Sequence, residues 1–383
     1  MTQPGPLAFY VPSLTVGGAE RVTVSVANGL AERGYDVHLL VSYYEGSFVG
    51  EIDDAVTVFD LETPRVPGLG IGASVPRLVS YLRRQSPSMV FAQMIYASDV
   101  LLTAHLLAGS DALVVPTVHN TVGMHDPPKE RLVQRLATVL SGRAHRFVAV
   151  SAGAAQSVVE ELAVPEEKVS VLHNPIPVAD IRAQACEAAD HEWTADAEVD
   201  VVLGIGRLAP QKDFETFLRA FADVYAANPN TRAVIIGRGP ERERLEATAR
   251  DLGIAEVVDF TGYVDNPYSY MADADVLAMS SIHEGLPTVL IEALACGCPV
   301  VSTDCPSGPR TILEDGTHGP LVPVEDAPAL GEAVLDTLNA PPDRSTLVDR
   351  ARDFAPETVL DDYESFIRRT VPSRQSRSPP PSR

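Results

Sequence analysis

Short apolar runs alternate with amphipathic stretches along the chain. It opens on Leu7-Ala8-Phe9-Tyr10-Val11, turns at Gly17-Gly18, and continues with Val22, Val26 and Leu30 on one stripe. Gly34 interrupts, and Tyr35-Asp36-Val37-His38-Leu39-Leu40-Val41 is again mostly apolar. A short apolar run bounded by turn residues reads as a buried strand, and a four-residue spacing as one face of a helix. The opening therefore predicts strand, glycine turn, helix and strand, a βαβ unit with a parallel sheet. Further strand candidates follow at Met89–Ala92, Leu113–Val118 and Arg146–Ser151.

The same opening recurs near residue 200. Val201-Val202-Leu203-Gly204-Ile205-Gly206 leads into a polar loop, and Phe214, Phe217, Leu218, Phe221 and Val224 then take helical spacing. Ala233–Gly237 is the next strand, and a charged helix runs from about Glu241 to Leu252. Two doubly wound, Rossmann-like parallel-sheet domains in tandem are expected, residues 1–177 and 178–355, linked near Pro175–Pro177. An acidic, alanine-rich stretch, Ala179 to Asp200, follows the link. Residues 371–383, rich in Ser, Pro and Arg, are expected to be disordered. Two such sheets facing one another enclose a central cleft, lined by the loops at the carboxyl ends of their strands, where doubly wound sheets bind ligands.

Composition narrows the class. A chain of 383 residues allows two domains at ~100–200 residues each. With 45% hydrophobic and 21% charged residues it is ordinary for a globular protein and too apolar for disorder. No apolar run approaches the ~18–20 residues of a membrane span, and Met1 to Pro6 lacks the basic-then-apolar order of a signal peptide. Four cysteines are too few for a disulfide scaffold, so a reduced, cytoplasmic protein is expected.

The charge is unusual: 30 basic against 52 acidic residues, a net −22. Lys129, Lys168 and Lys212 are the only lysines. So negative a field argues against nucleic acid as a partner and against simple docking on anionic lipid. Acidity with almost no lysine suits a cytoplasm of high salt, where self-repulsion is screened; a genome rich in arginine codons gives the same bias. The densest basic stretch is Lys129, Arg131, Arg135, Arg143 and Arg146, the place where phosphate or a membrane surface would be met, although a solvated helix face has the same spacing.

Three features carry candidate chemistry. Gly206-Arg207-Leu208-Ala209-Pro210-Gln211-Lys212-Asp213 lies between a strand and a helix. Two cations five residues apart at a helix N-terminus can grip a diphosphate. In Glu284-Gly285-Leu286-Pro287 through Cys296-Gly297, Pro287 suits the first position of a helix and Gly297 its end, which frames a helix from 287 to 296. Glu284 precedes it and Glu292 lies on it. Helix side chains lean toward the N-terminus, so both carboxylates can accept hydrogen bonds from the vicinal hydroxyls of one ligand there. The third feature is Gly17-Gly18-Ala19-Glu20-Arg21, a glycine turn after the first strand that lets backbone approach an anion. It lacks the dinucleotide glycine fingerprint, which disfavours a nicotinamide oxidoreductase. Asp273-Ala274-Asp275 and the trio Cys296, Cys298 and Cys305 mimic metal motifs. A helix end and packed thiols explain them better.

Together, Gly17 to Arg21, Gly206-Arg207 with Lys212, Gly237-Arg238-Gly239-Pro240, Phe260-Thr261-Gly262-Tyr263-Val264 and Glu284-x7-Glu292 resemble family 4 (group 1) of the glycosyltransferases, retaining enzymes of the GT-B fold. The resemblance runs from about residue 7 to 370. It implies a hexose-type sugar moved from a nucleotide-diphosphate sugar to a hydroxyl of a glycan, lipid-linked saccharide or polysaccharide precursor. Arg207 and Lys212 would bind the diphosphate and stabilise the leaving group, Glu292 would hold the ribose, and Glu284 the donor sugar. Backbone around Gly237 belongs to the same donor site, and that around Tyr263 and Val264 would meet the base. His119 would approach the reacting sugar, and Gly17 and Gly18 the phosphates or sugar. The final helix, about 356–370, would pack back on the first domain. No metal and no other cofactor is expected, because the cations and helix terminus supply the charge; peripheral contact with a membrane falls to the Lys129–Arg146 region. The chain departs from the pattern at Thr311, where relatives usually carry Glu. A nucleotide-sugar epimerase or a catalytically silent partner in a glycan-assembly complex would share this fold.

Overall fold

The computed structural model describes residues 5–15, 17–66, 68, 70–122 and 140–371. The chain divides into two compact units: unit 1 holds Met1–Pro175 and Pro356–Arg383, and unit 2 holds Ile176–Ala355.

Among the described residues, unit 1 contains β1 (Leu7–Val11), β2 (Val37–Val41), β3 (Thr57–Asp60), β4 (Met89–Gln93), β5 (Leu113–Val118), β6 (Phe147–Ala149) and β7 (Val169–Val171). They form one sheet in the order β3-β2-β1-β4-β5-β6-β7, with every neighbouring pair parallel. All five residues of β1, β2 and β4 are buried, as a sheet covered on both faces requires. Phe9 and Phe91, opposite one another in the β1–β4 register, stack at 4.9 Å. The helix Pro356–Thr370 closes one face of this sheet. Its Val359, Leu360, Tyr363, Phe366 and Ile367 share a core with Leu7, Val26, Leu30 and Phe91, and Arg33 pairs with Asp361 at 2.6 Å. The final helix thus returns to the first sheet although 180 residues of unit 2 precede it.

Unit 2 contains β8 (Asp200–Ile205), β9 (Thr231–Ile236), β10 (Val258–Gly262), β11 (Val276–Met279), β12 (Val300–Thr303) and β13 (Leu321–Val322). The order β10-β9-β8-β11-β12-β13 is again parallel throughout. The helix Phe214–Ala227 follows β8 and buries Phe214, Phe217, Leu218, Phe221 and Val224. Asp213 caps it, accepting from the Thr216 amide at 3.3 Å. The acidic stretch after the link packs on unit 2: Val178–Gln184 is helical, Arg232 lies over Trp193 at 6.0 Å, and the Tyr270 hydroxyl donates to the Asp190 carbonyl at 3.2 Å.

Each sheet reverses its winding once, between β1 and β4 and between β8 and β11. At such a reversal neighbouring loops run apart and leave a crevice at the carboxyl edge.

Candidate active site

The reversal in unit 2 lies between the loop after β8, which carries Arg207 and Lys212, and the loop after β11, which carries Glu284. Gly206 leaves β8 with φ +159°, and Gly237 leaves β9 with φ +152°. A Cβ on Gly237 would lie 1.8 Å from the Gly206 carbonyl oxygen, so only glycine lets the two strand ends cross this closely. Gly237 is therefore a packing requirement of the site, whatever else its backbone does.

Lys212 ends a single 3-10 turn, Pro210–Lys212. Its Nζ donates to Glu284 Oε1 at 2.6 Å, and the Ser281 hydroxyl donates to the same oxygen at 2.7 Å. Glu284 is 8% exposed. The two loops are laced together: Gln211 donates from Nε2 to the His283 carbonyl at 2.8 Å and accepts from the Ile282 amide at 2.9 Å. Ser280 Oγ donates to the Lys212 carbonyl at 2.9 Å, and Thr303 Oγ1 to that of Ser281 at 2.6 Å. One carboxylate oxygen thus holds a cation and a hydroxyl, which fixes the plane of the other. Arg207 is exposed and has no ion-pair partner among the described residues.

Glu292 sits half-buried on the helix Thr288–Ala295. Pro287 is the residue before that helix rather than its first, and Gly297 follows its end at φ +72°. Tyr263, just past β10, is 64% exposed, and the Arg238 guanidinium lies 5.6 Å above its ring. Val264 follows, half-buried. Thr311 lies in the short helix Gly308–Ile312, where its carbonyl accepts from Arg350 at 2.6 Å.

In unit 1, His119 follows β5. Its Nε2 meets Gln93 Oε1 at 2.6 Å, while Nδ1 is buried with no hydrogen-bond partner among the described residues. Burial draws this imidazole down to about 4, which keeps it neutral near pH 7. Gly17 is the residue before the helix Gly18–Glu32. Its φ of −168° is extended backbone that any residue adopts, so the expected special turn is absent there; a Cβ would instead meet the Glu20 carboxylate at 2.1 Å. Gly18 faces open space.

The metal-like motifs have structural partners. Asp273 accepts from the Ala189 amide at 3.1 Å and Asp275 from the Val201 amide at 2.8 Å. Burial pushes the thiols of Cys296 and Cys305 up to about 12. Among the described residues, no group of three His, Cys, Asp or Glu side chains is placed to hold a metal ion. Lys129, Arg131 and Arg135 lie outside the described residues, as does the tail beyond Val371; Arg143 is exposed and Arg146 half-buried. Ser281, Ser280 and Gln211 were not singled out by the sequence. The one signal was a pair of hydroxyls at a strand end, three and four residues before Glu284.

Comparison with known proteins identifies the family. The family described as Glycosyltransferase Family 4 matches residues 16–180, and that described as Glycosyl transferases group 1 matches residues 187–354. The chain belongs to the family 4, group 1 glycosyltransferases, and its two parallel-sheet units are those of the GT-B fold. It is 27% identical to the N-acetylgalactosamine-N,N'-diacetylbacillosaminyl-diphospho-undecaprenol 4-alpha-N-acetylgalactosaminyltransferase of Campylobacter jejuni, over 84% of this chain and 86% of that one. It is 28% identical to the alpha-1,4-N-acetyl-D-galactosaminyltransferase that acts on GalNAc-alpha-(1->4)-GalNAc-alpha-(1->3)-diNAcBac-PP-undecaprenol in the same organism, over 94% of this chain and 98% of that one. Among solved structures, Anabaena HepE in complex with UDP superimposes with a TM-score of 0.77 at 21% identity, covering 95% of this chain and 100% of that one.

Proposed function

We propose that the protein is a retaining glycosyltransferase that moves a hexose-type sugar from a nucleotide-diphosphate sugar to a hydroxyl of a glycan or lipid-linked saccharide. The observation that carries the reading is the Lys212–Glu284 pair at the strand reversal of unit 2, with Arg207, which has no ion-pair partner among the described residues, on the same loop as Lys212. A cation and a carboxylate side by side suit a ligand with a phosphate at one end of a bond and sugar hydroxyls at the other. The undecaprenol-linked substrates of the Campylobacter relatives and the UDP bound by HepE support the same assignment.

In this mechanism the bond from the anomeric carbon to the diphosphate oxygen breaks, and its electron pair leaves with the diphosphate. Arg207 and Lys212 stabilise that charge as it develops, the largest effect such a site has available. The acceptor oxygen bonds to the anomeric carbon on the same face, and its proton passes to the departing phosphate oxygen, which preserves configuration. Glu284 holds sugar hydroxyls, Glu292 the ribose, and the backbone by Gly237, Tyr263 and Val264 the nucleotide. His119, neutral, serves as a hydrogen-bonding group and not as a proton donor to the leaving group. The two cations would neutralise the phosphate charge that a metal otherwise carries, so turnover is expected without one. No helix among the described residues is long and apolar enough to cross a membrane, so a lipid-linked acceptor would be met at the membrane surface.

The test is transfer from a panel of UDP- and GDP-sugars to undecaprenyl-diphosphate-linked saccharides in excess EDTA, with the product anomer read by NMR. An α-linked product from an α-configured donor is expected. Inversion, or activity restored only by Mg²⁺ or Mn²⁺, would overturn the mechanism.

A further inference from the structure

Two buried polar atoms on one face of the unit 1 sheet are left open: His119 Nδ1 and Thr117 Oγ1 have no hydrogen-bond partner among the described residues. Thr117 lies on β5 and His119 follows two positions later, a spacing that puts both side chains on the same face. Native structures seldom bury polar atoms in this way, and each such atom calls for an occupant. Gln93, the last residue of β4, stands opposite Thr117 in the parallel register and is 3% exposed. Its Oε1 meets His119 Nε2 at 2.6 Å. The backbone beyond Gln93 is fixed as well. The Met94 amide donates to the Thr117 carbonyl at 3.1 Å, Met94 sits at φ +74°, and the Ser98 hydroxyl donates to the Met94 carbonyl at 2.9 Å.

The amide decides where the imidazole proton sits. A neutral imidazole has one N–H and one lone pair, and a carboxamide oxygen only accepts. With Oε1 at Nε2, the proton stands on Nε2 and Nδ1 is a bare acceptor. Turning the amide over would bring its NH₂ to Nε2 and drive the proton onto Nδ1, buried with no acceptor among the described residues. Protonation of both nitrogens is opposed by burial, which draws the imidazole down to about 4. One tautomer is left, and whatever meets Nδ1 must donate a hydrogen. An ionised phosphate oxygen, which only accepts, is refused there. A hydroxyl can donate to Nδ1 and accept from a neighbour such as Thr117 Oγ1.

We propose that Gln93 is a positioning residue of the transfer reaction: it holds His119 in the Nε2–H tautomer, so that Nδ1 accepts from a hydroxyl of the sugar being moved and takes no part in gripping phosphate. The proposal rests on the glycosyl-transfer reading, in which His119 meets the sugar. It adds a residue that acts only through that histidine, and it gives the hydrogen bond a direction.

The experiment begins with the full chain labelled with ¹⁵N-histidine. Long-range ¹H–¹⁵N spectra at neutral pH, with His119 identified by the signals lost in His119→Asn, should show a protonated Nε2 and an unprotonated Nδ1. A protonated Nδ1, or averaging of the two nitrogens, overturns the proposal in the wild type alone. Gln93→Leu removes the acceptor, so the two tautomers should mix. Its affinity for UDP-glucose, UDP-N-acetylgalactosamine or GDP-mannose, whichever the wild type binds, should fall about five- to tenfold, while that for UDP or GDP alone holds. The unchanged affinity for the bare nucleotide shows that the variant is folded. Gln93→Glu keeps an acceptor at Nε2, but its carboxylate favours the imidazolium, so there the fall should appear only as pH is lowered. Equal losses for nucleotide and nucleotide sugar, the mark of a merely structural role, overturn the proposal. Failure of the wild type to bind any nucleotide sugar defeats the transfer reading itself; sugar binding that Gln93→Leu leaves untouched defeats the role of Gln93 alone.

Discussion

Replacing Lys212 with alanine, Glu284 with glutamine, and then both, separates the ion pair from the ligand it awaits. At 2.6 Å the two charges attract by about 6 kcal/mol at an effective dielectric constant near ~20. Dehydration cancels much of that, because the Glu284 side chain is 10% exposed and that of Lys212 21%. A net coupling of about 1–3 kcal/mol is left, the range of hydrogen bonds to charged groups. In a unit of this size each ~1 kcal/mol moves Tm by about 2–4 °C. Each single variant should therefore melt several degrees lower, and the double variant should lose less than the two together. Ser281 keeps a donor on the carboxylate when the lysine is gone, so Lys212→Ala should still fold. In turnover, Lys212→Ala lowers kcat by roughly 10²–10³-fold, because its charge matters most as the leaving group forms. Calorimetry of the four proteins with steady-state kinetics decides both points. Additive losses of stability refute the pair, and a wild-type kcat in folded Lys212→Ala refutes the leaving-group role.

Three further outcomes follow from single residues. Gly237→Ala puts a methyl 1.8 Å from the Gly206 carbonyl at φ +152°, so Tm should fall and nucleotide binding weaken together; a variant with wild-type Tm and UDP affinity contradicts the crossing. His119, drawn down to about 4, stays neutral in the folded state while the unfolded chain takes up a proton near its ordinary 6.5. Stability contributed there is present above that value and lost as pH falls from 6.5 toward 4, so His119→Gln should make Tm less sensitive to acid in that window; equal slopes for the two proteins would sink the argument. Glu292→Gln weakens hydrogen bonds to a ribose that does not change as the glycosidic bond breaks. It should raise the donor KM about tenfold with kcat little altered, and a pure kcat effect would reassign the residue.

The fold was largely legible because most central strands are uninterrupted apolar runs: β1, β2, β4, β5, β8, β9 and β11 all stand out in the sequence. The peripheral strands did not. Thr57–Asp60 is only partly buried, Val169–Val171 has three residues and Leu321–Val322 two, so their strand state is set by the neighbour they pair with, not by their own pattern. The anchors of the acidic stretch from Ala179 to Asp200 were not legible because they are distant in the chain: His191 meets Asp259 at 3.1 Å, and Arg232 lies over Trp193. At the site, Lys212 was conspicuous as one of three lysines, and Glu284 and Glu292 by their spacing. Their support was not. Nothing in the sequence says that Ser281 and Lys212, 69 positions apart, donate to one oxygen.

The central claim is that the crevice of unit 2 holds a nucleotide diphosphate between Arg207, Lys212 and the two glutamates. Isothermal titration of UDP and of GDP into the wild-type protein, Arg207→Ala and Lys212→Ala tests it most directly. One of the two nucleotides should bind the wild type, and each variant should raise Kd by about tenfold or more, the loss of one charge-assisted contact of ~1.5–3 kcal/mol. Binding of neither nucleotide to the wild type, or equal Kd values in all three folded proteins, would contradict the account.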